Sequence, residues 1–264
     1  MKSINLKIAG LIINVIFNET EWEYWQKQLN KQIKKHYQGF ICNKNIKHKD
    51  FTIEFREKNI NQVIYKSKIK RGFIDFYERK IEKKIITYYS ISFWQFQAIL
   101  RDVIQQLIID NGGFWLHTSA ITTKAGAWLF LGPSGVGKST IITMLKNTHQ
   151  VIADDRLLII KKDNGFYAYQ TPFLEKQMWV KKSQEAYRIN RIFFLKQARN
   201  TNIIPIIDSE TILSKSIEQI LIDSDSKPQQ VHSMLKFISQ FKNYYLLEFT
   251  KNITEVKKAL VELN

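Results

Sequence analysis

The sequence predicts an α/β protein: a mixed sheet with helices over residues 91–264, preceded by a β-rich region over residues 1–90. Three observations predict this. Short alternating or β-branched apolar runs recur along the chain. Two longer stretches carry apolar residues at helical spacing. The apolar run Trp128-Leu129-Phe130-Leu131 leads straight into a glycine-rich turn and a helix-compatible segment. The chain has 264 residues, 44% apolar and 24% charged, a composition that folds and a length that buries a sizeable core.

Taken in order, the apolar N-terminus reads as a first strand pair. Its run from Ile4 to Phe17 is broken by Lys7 and Asn14 and is too short to span a membrane, and no cleavage-site pattern follows. Residues 21–35 read as a helix whose stripe is Trp22, Trp25, Leu29 and Ile33. Phe51–Phe55 and Ile85–Ile91 read as strands. Phe93–Ile109 reads as a second helix, with Phe96, Leu100, Val103 and Leu107 on one face and Asn111-Gly112-Gly113 as its stop. Trp115–Thr123 and Ala127–Leu131 read as two strands of a hairpin turned by Lys124-Ala125-Gly126. Lys138–Lys146 reads as a helix, and Val151–Ala153, Arg156–Lys162 and Phe166–Gln170 as strands around the Asp163-Asn164-Gly165 turn. A strand at Arg191–Leu195, helices at 209–222 and 229–241, a strand at Tyr244–Phe249 and a helix from Ile253 complete the chain.

The single cysteine, Cys42, excludes an internal disulfide and supplies no metal cluster, which fits a cytoplasmic protein. The formal charge of +16 favours anionic partners, acidic peptides or proteins included. The basic runs at Lys34-Lys35, Lys44–Lys49 and Lys66–Arg71 carry no nucleic-acid-binding motif and read as solvated faces.

The chemistry concentrates after residue 131. Gly132-Pro133-Ser134-Gly135-Val136-Gly137-Lys138-Ser139 fits G-x-x-x-x-G-K-[ST] throughout, between an apolar strand and a helix, which is the context a phosphate-binding loop requires. Glycines let the backbone N–H groups wrap a phosphate at a helix N-terminus. Lys138 is then placed for the β and γ phosphates, and Ser139 for Mg²⁺, with Thr140 a second candidate. The expected ligands are ATP and Mg²⁺. Val151-Ile152-Ala153-Asp154-Asp155 adds two carboxylates at the end of a short strand, close in sequence to the loop. One suffices to hold the metal; the other is then free to accept a proton from an attacking hydroxyl. The sequence leaves open which does which, with Asp154 as metal ligand and Asp155 as base the first assignment. His117, alone on its strand, reads by itself as a hydrogen-bonded structural residue.

Together, Leu116–Ile121, Leu131–Thr140 and His149–Arg156 resemble the HPr kinase superfamily in order and spacing. The resemblance covers residues 93–250. It implies a fold similar to the nucleotide domain of phosphoenolpyruvate carboxykinase, with a metal and proton-transfer site at His117, Ser139, Asp154 and Asp155. Two departures separate the chain from bifunctional HPr kinase/phosphorylases: Thr140 stands where they carry glutamate, and their downstream glycine- and arginine-containing segment is missing. The sequence looks closer to HPr-kinase-related kinases, some of which phosphorylate a serine of lasso-peptide precursors. Tyr169–Phe173, Arg191–Leu195 and Ile203–Ile206 are shared with that looser group, and Thr171 and Pro172 fall where an acceptor site or a plain turn would lie. The expected activity is transfer of the ATP γ-phosphate to a hydroxyl, a serine of a peptide or protein in the first instance. A small alcohol as acceptor, a nucleotide switch without transfer, a carboxykinase and a nucleic-acid-linked ATPase are the alternatives. The superfamily's best-known members form oligomers, so an assembly is compatible.

Overall fold

The computed structural model describes residues 2–18, 23–42, 46–56, 78–81, 83–87, 91–220 and 227–263. It is a mixed α/β structure with two mixed sheets and six α-helices among the described residues. By backbone contacts the chain divides into two compact units, Met1–Leu107 and Ile108–Asn264.

In the first unit, β1 (Lys2–Ile8) and β2 (Leu11–Phe17) form the expected antiparallel pair. Their two-residue turn, Ala9-Gly10, has positive φ at both positions, the conformation that matches strand twist in a tight hairpin. The sheet continues with β3 (Ile41–Cys42), β4 (Phe51–Phe55), β5 (Glu78–Ile81) and β6 (Lys84–Thr87) in the order β3-β1-β2-β4-β6-β5, with β2, β4 and β6 parallel. α1 (Glu23–His36) buries Leu29 and Ile33, and Trp25 donates its ring N–H to the Ile91 carbonyl at 2.8 Å. Trp22, the Lys66–Arg71 run and the part of the expected 85–91 strand at 88–90 lie outside the described residues. α2 (Phe93–Asp110) buries Phe96, Leu100, Val103 and Leu107 as its periodicity predicts.

Glu54 is a buried carboxylate on β4. Burial alone would raise its pKa, but hydrogen bonds from Arg56, Lys84 and Asn18 outweigh it and hold the carboxyl at about 2. A depressed carboxylate contributes stability that is present above its unfolded pKa and is lost as pH falls through the folded value. Glu54→Gln is therefore expected to be less stable at neutral pH and to show a smaller loss of stability between about pH 4.5 and pH 2, read by chemical denaturation at stepped pH.

The second unit is built on β7 (Phe114–His117), β8 (Ser119–Thr123), β9 (Gly126–Leu131), β10 (Val151–Ala153), β11 (Arg156–Lys162), β12 (Gly165–Gln170), β13 (Ala186–Gln197), β14 (Asn202–Pro205) and β15 (Tyr244–Phe249). Its main path runs β10-β8-β9-β13-β12-β11-β7, with β15 beside β13 and β14 beside β15. β9, β13 and β15 are parallel and the remaining pairs antiparallel. Twelve-residue β13 joins the two halves: residues 186–188 pair with β12, and the rest with β9 and β15. Both faces are covered, so central strands are apolar on both sides. On one face Leu129, Leu131 and Phe194 pack with Ile212 of α4 (Ser209–Ile217) and Met234 and Phe237 of α5 (Lys227–Gln240). On the other, Trp128, Phe130 and Phe193 pack with Ile141, Ile142 and Leu145 of α3 (Lys138–Leu145) and Val256 and Leu260 of α6 (Ile253–Val261).

One expected strand is two. Trp115–Thr123 breaks at Thr118: β7 pairs with β11, while β8 pairs with β9 and β10. The buried Thr118 hydroxyl lies 3.0 Å from the carbonyl oxygens of both Phe130 and Ser119, and its N–H donates to the Asp155 carbonyl at 3.1 Å. The chain changes partner at the level where Asp154-Asp155 separates β10 from β11, which brings both breaks together.

Candidate active site

The Gly132–Ser139 loop leaves the end of β9 and turns into α3, whose first residue is Lys138. Gly137 caps the helix at φ 111°, and a Cβ there would lie 2.6 Å from the Phe249 ring. Left-handed backbone and this close approach both require glycine. Gly137→Ala is expected to cost about 1–3 kcal/mol of stability, measured by denaturant titration. Lys138 is buried, and its ammonium donates to the carbonyls of Gly132, at 2.5 Å, and Pro133, at 3.2 Å, so the loop closes on its own lysine. Burial, and then the Lys176 charge, lower its pKa, partly offset by Asp155 and Asp154. Ser139 and Thr140 are half-buried on the first turn of α3.

The two aspartates occupy different environments. Asp154 is almost fully buried. Its Oδ1 accepts from the Ser119 hydroxyl at 3.1 Å, while its Oδ2 is buried with no hydrogen-bond partner. Asp155 gives Oδ2 to the Arg156 guanidinium, with Nε at 2.7 Å, and leaves Oδ1 facing His117 Nε2 at 3.8 Å and Lys176 Nζ at 3.6 Å, both beyond hydrogen-bond range. Burial would raise the Asp155 pKa. The Arg156 hydrogen bond and charge, with Lys176 and His117, bring it below the ordinary carboxylate value. Burial, followed by the Lys138 charge, lowers the His117 pKa against the opposing pull of Asp155, which favours the neutral ring at neutral pH. His117 Nε2 is itself buried without a hydrogen-bond partner, and its residue stands in register with Arg156 across β7 and β11.

Of the residues singled out in the sequence, His117, Asp154 and Asp155 lie together at the paired strand breaks, while Lys138, Ser139 and Thr140 open α3 and the charges of both aspartates act on Lys138. Thr171, Pro172 and Phe173 are buried, and Phe173 stacks on Trp115 at 6.1 Å. Arg156, Lys176, Glu175 and Ser119 are site neighbours the sequence did not mark. Arg156 stood there only as the first residue of the Arg156–Lys162 strand and the end of the His149–Arg156 segment. Glu175 and Lys176 lie in the irregular stretch between β12 and β13, where no periodicity or motif points to them. Among the described residues no three His, Cys, Asp or Glu side chains gather as a metal cluster, and no helix is long and apolar enough to cross a membrane.

Fold and site together define a mixed α/β protein that carries a glycine-rich strand-to-helix loop and a buried aspartate pair in one unit. Residues 87–253, more than half of the chain, match the family described as SynChlorMet cassette protein ScmC, and the chain belongs to that family. No curated protein matches it.

Proposed function

We propose that this chain is an ATP- and Mg²⁺-dependent phosphotransferase with a carboxykinase/HPr-kinase-like phosphate-loop fold, transferring the γ-phosphate to a hydroxyl, in the first instance a serine of a peptide or protein. The observation that carries this reading is the pair of carboxylates in different states of engagement at the β10–β11 junction, in the same unit as the glycine-rich loop and its buried Lys138. A buried carboxylate oxygen without a partner is costly unless something meets it. Asp154 Oδ2 is such an oxygen, and a divalent cation fits it. Ser139 and Asp154 would hold Mg²⁺, with nucleotide phosphates and water completing a shell that this ion rarely takes from protein alone. When bound, the ion offsets charge on the transferring phosphoryl group.

The protein's own groups account for the rest. Lys138 donates to the phosphate oxygens once it exchanges its loop carbonyls for them. Asp155 is ionised at neutral pH, and with Oδ2 held by Arg156 its Oδ1 is the atom placed to accept the acceptor's proton. The acceptor oxygen bonds to the γ-phosphorus, the bond to the β–γ bridging oxygen breaks, ADP leaves and the proton stays on Asp155. A low pKa suits this role, because in a loose transition state the hydroxyl loses its proton late and needs orientation more than a strong base. Neutral His117 lies against the same carboxylate and lines the acceptor side. The family's description as a cassette protein directs the search for the acceptor to the proteins of that cassette. Isothermal titration with ATP tests the first step: Mg²⁺-dependent binding supports the reading, and no binding with or without Mg²⁺ would contradict it.

A further inference from the structure

We infer that Glu175, outside every motif of the sequence, is the positioning residue that fixes both aspartates of the phosphotransfer site. The inference rests on the phosphotransfer reading above. Glu175 lies in the 171–185 segment that returns across the end of β10, and its side chain is 2% exposed. Its Oε2 accepts the backbone N–H of Asp154 at 2.9 Å and that of Asp155 at 3.0 Å, while Oε1 is paired with Lys182. Two successive N–H groups aimed at one oxygen fix the backbone at both residues, and with it the origin of both side chains. The same segment is clamped a second time. Buried Gln170 donates from Nε2 to the Ile152 carbonyl at 2.7 Å and the Lys181 carbonyl at 2.9 Å, and accepts at Oε1 from the Ser183 N–H at 2.6 Å.

This arrangement does more than satisfy a turn. A buried carboxylate is a demanding way to occupy two amides, since it needs Lys182 as counter-charge. What it provides is a rigid junction at the one point where β10 and β11 part, where Asp154 must meet a metal and Asp155 a proton. Groups that orient metal and catalytic ligands in this way typically change metal affinity 10–100-fold when lost, and a misplacement of about 1 Å costs on the order of 10²-fold in rate.

The experiment uses the full chain with Glu175→Ala, Glu175→Asp and Glu175→Gln. Two readouts are taken: Mn²⁺ affinity in the presence of ATP, by water-proton relaxation, and ATP turnover as phosphate release, with water as acceptor. E175A is expected to bind Mn²⁺ at least about tenfold more weakly, with KM for the metal–ATP complex raised in step by linkage, and to lose about 10²-fold in kcat. E175Q, which keeps an oxygen for both amides, is expected to recover most of the loss. If E175A fails to fold, E175D carries the test, because its shorter side chain withdraws the acceptor while keeping the charge. Unchanged Mn²⁺ affinity and kcat in E175A or E175D would overturn the inference, as would a raised KM with kcat intact. Wild-type protein that binds Mn²⁺ with ATP but neither releases phosphate nor labels an acceptor overturns the phosphotransfer reading, while weaker Mn²⁺ binding in E175A still supports the positioning role. Wild-type protein that binds neither overturns both.

Discussion

Asp155→Asn is expected to lower phosphate transfer by about 10²–10⁴-fold, the usual contribution of a positioned general base, while leaving the affinity for Mg²⁺ and ATP within about threefold of wild type. The two effects separate because the aspartates are engaged differently. Asp155 Oδ2 belongs to Arg156 and its Oδ1 is open toward His117 and Lys176. An asparagine keeps the shape and presents an amide that cannot take a proton. The unpartnered oxygen suited to a cation belongs to Asp154, so on the proposed reading metal binding is expected to survive. Phosphate release and calorimetry on the same preparation check the pair of outcomes. A variant that turned over at the wild-type rate would remove Asp155 from the chemistry.

Lys138→Met is expected to act earlier and on both quantities. Its ammonium is buried and donates to the carbonyls of Gly132 and Pro133, with its pKa lowered chiefly by burial and by the neighbouring Lys176 against the opposing charges of Asp155 and Asp154. A desolvated cation of this kind gains strongly from an anionic partner, so ATP should draw it off the loop. On the proposed reading, removing it takes away a charge that would meet the developing phosphoryl group, which is expected to cost about 10²–10³-fold in kcat and to weaken ATP binding at least about tenfold. Competition between ATP and a fluorescent analogue reads the binding loss. Nucleotide affinity equal to wild type would detach the loop from the phosphates.

Much of the second unit was legible because its strands have distinct local signals. Lys124-Ala125-Gly126 marks the β8–β9 turn, the Asp163-Asn164-Gly165 turn joins β11 to β12, and α3 follows the glycine loop at once. The strand at Arg191–Leu195 was shorter in the sequence than in the fold: β13 begins at Ala186, where Tyr187 and Arg188 break the apolar pattern while pairing across β12. β14 was not visible as a strand, since a four-residue edge ending in Pro205 has little pattern of its own.

The break at Thr118 was hidden for a different reason. Trp115–Thr123 is continuous in strand-forming residues, and what divides it is the choice of partners, β11 before and β8–β9 pairing after, which only the folded sheet decides. The candidate site shows the same division. Loop and aspartates were readable from spacing, His117 became a candidate through the family resemblance, and Glu175, Lys176 and Lys182 were not readable at all. Those last three reach the site from an irregular segment, and a glutamate whose partners are backbone amides 20 and 21 residues away leaves no trace in a local pattern.

The most direct test of the account is incubation of the purified chain with Mg²⁺ and γ-labelled ATP, together with serine-bearing peptides and proteins of its cassette, followed by mass spectrometry of the acceptors. The account predicts label on one defined hydroxyl, absent without Mg²⁺ and lost in Asp155→Asn. Binding of ATP with no label on any acceptor and no phosphate released to water would contradict it, and would leave the chain a nucleotide-binding switch.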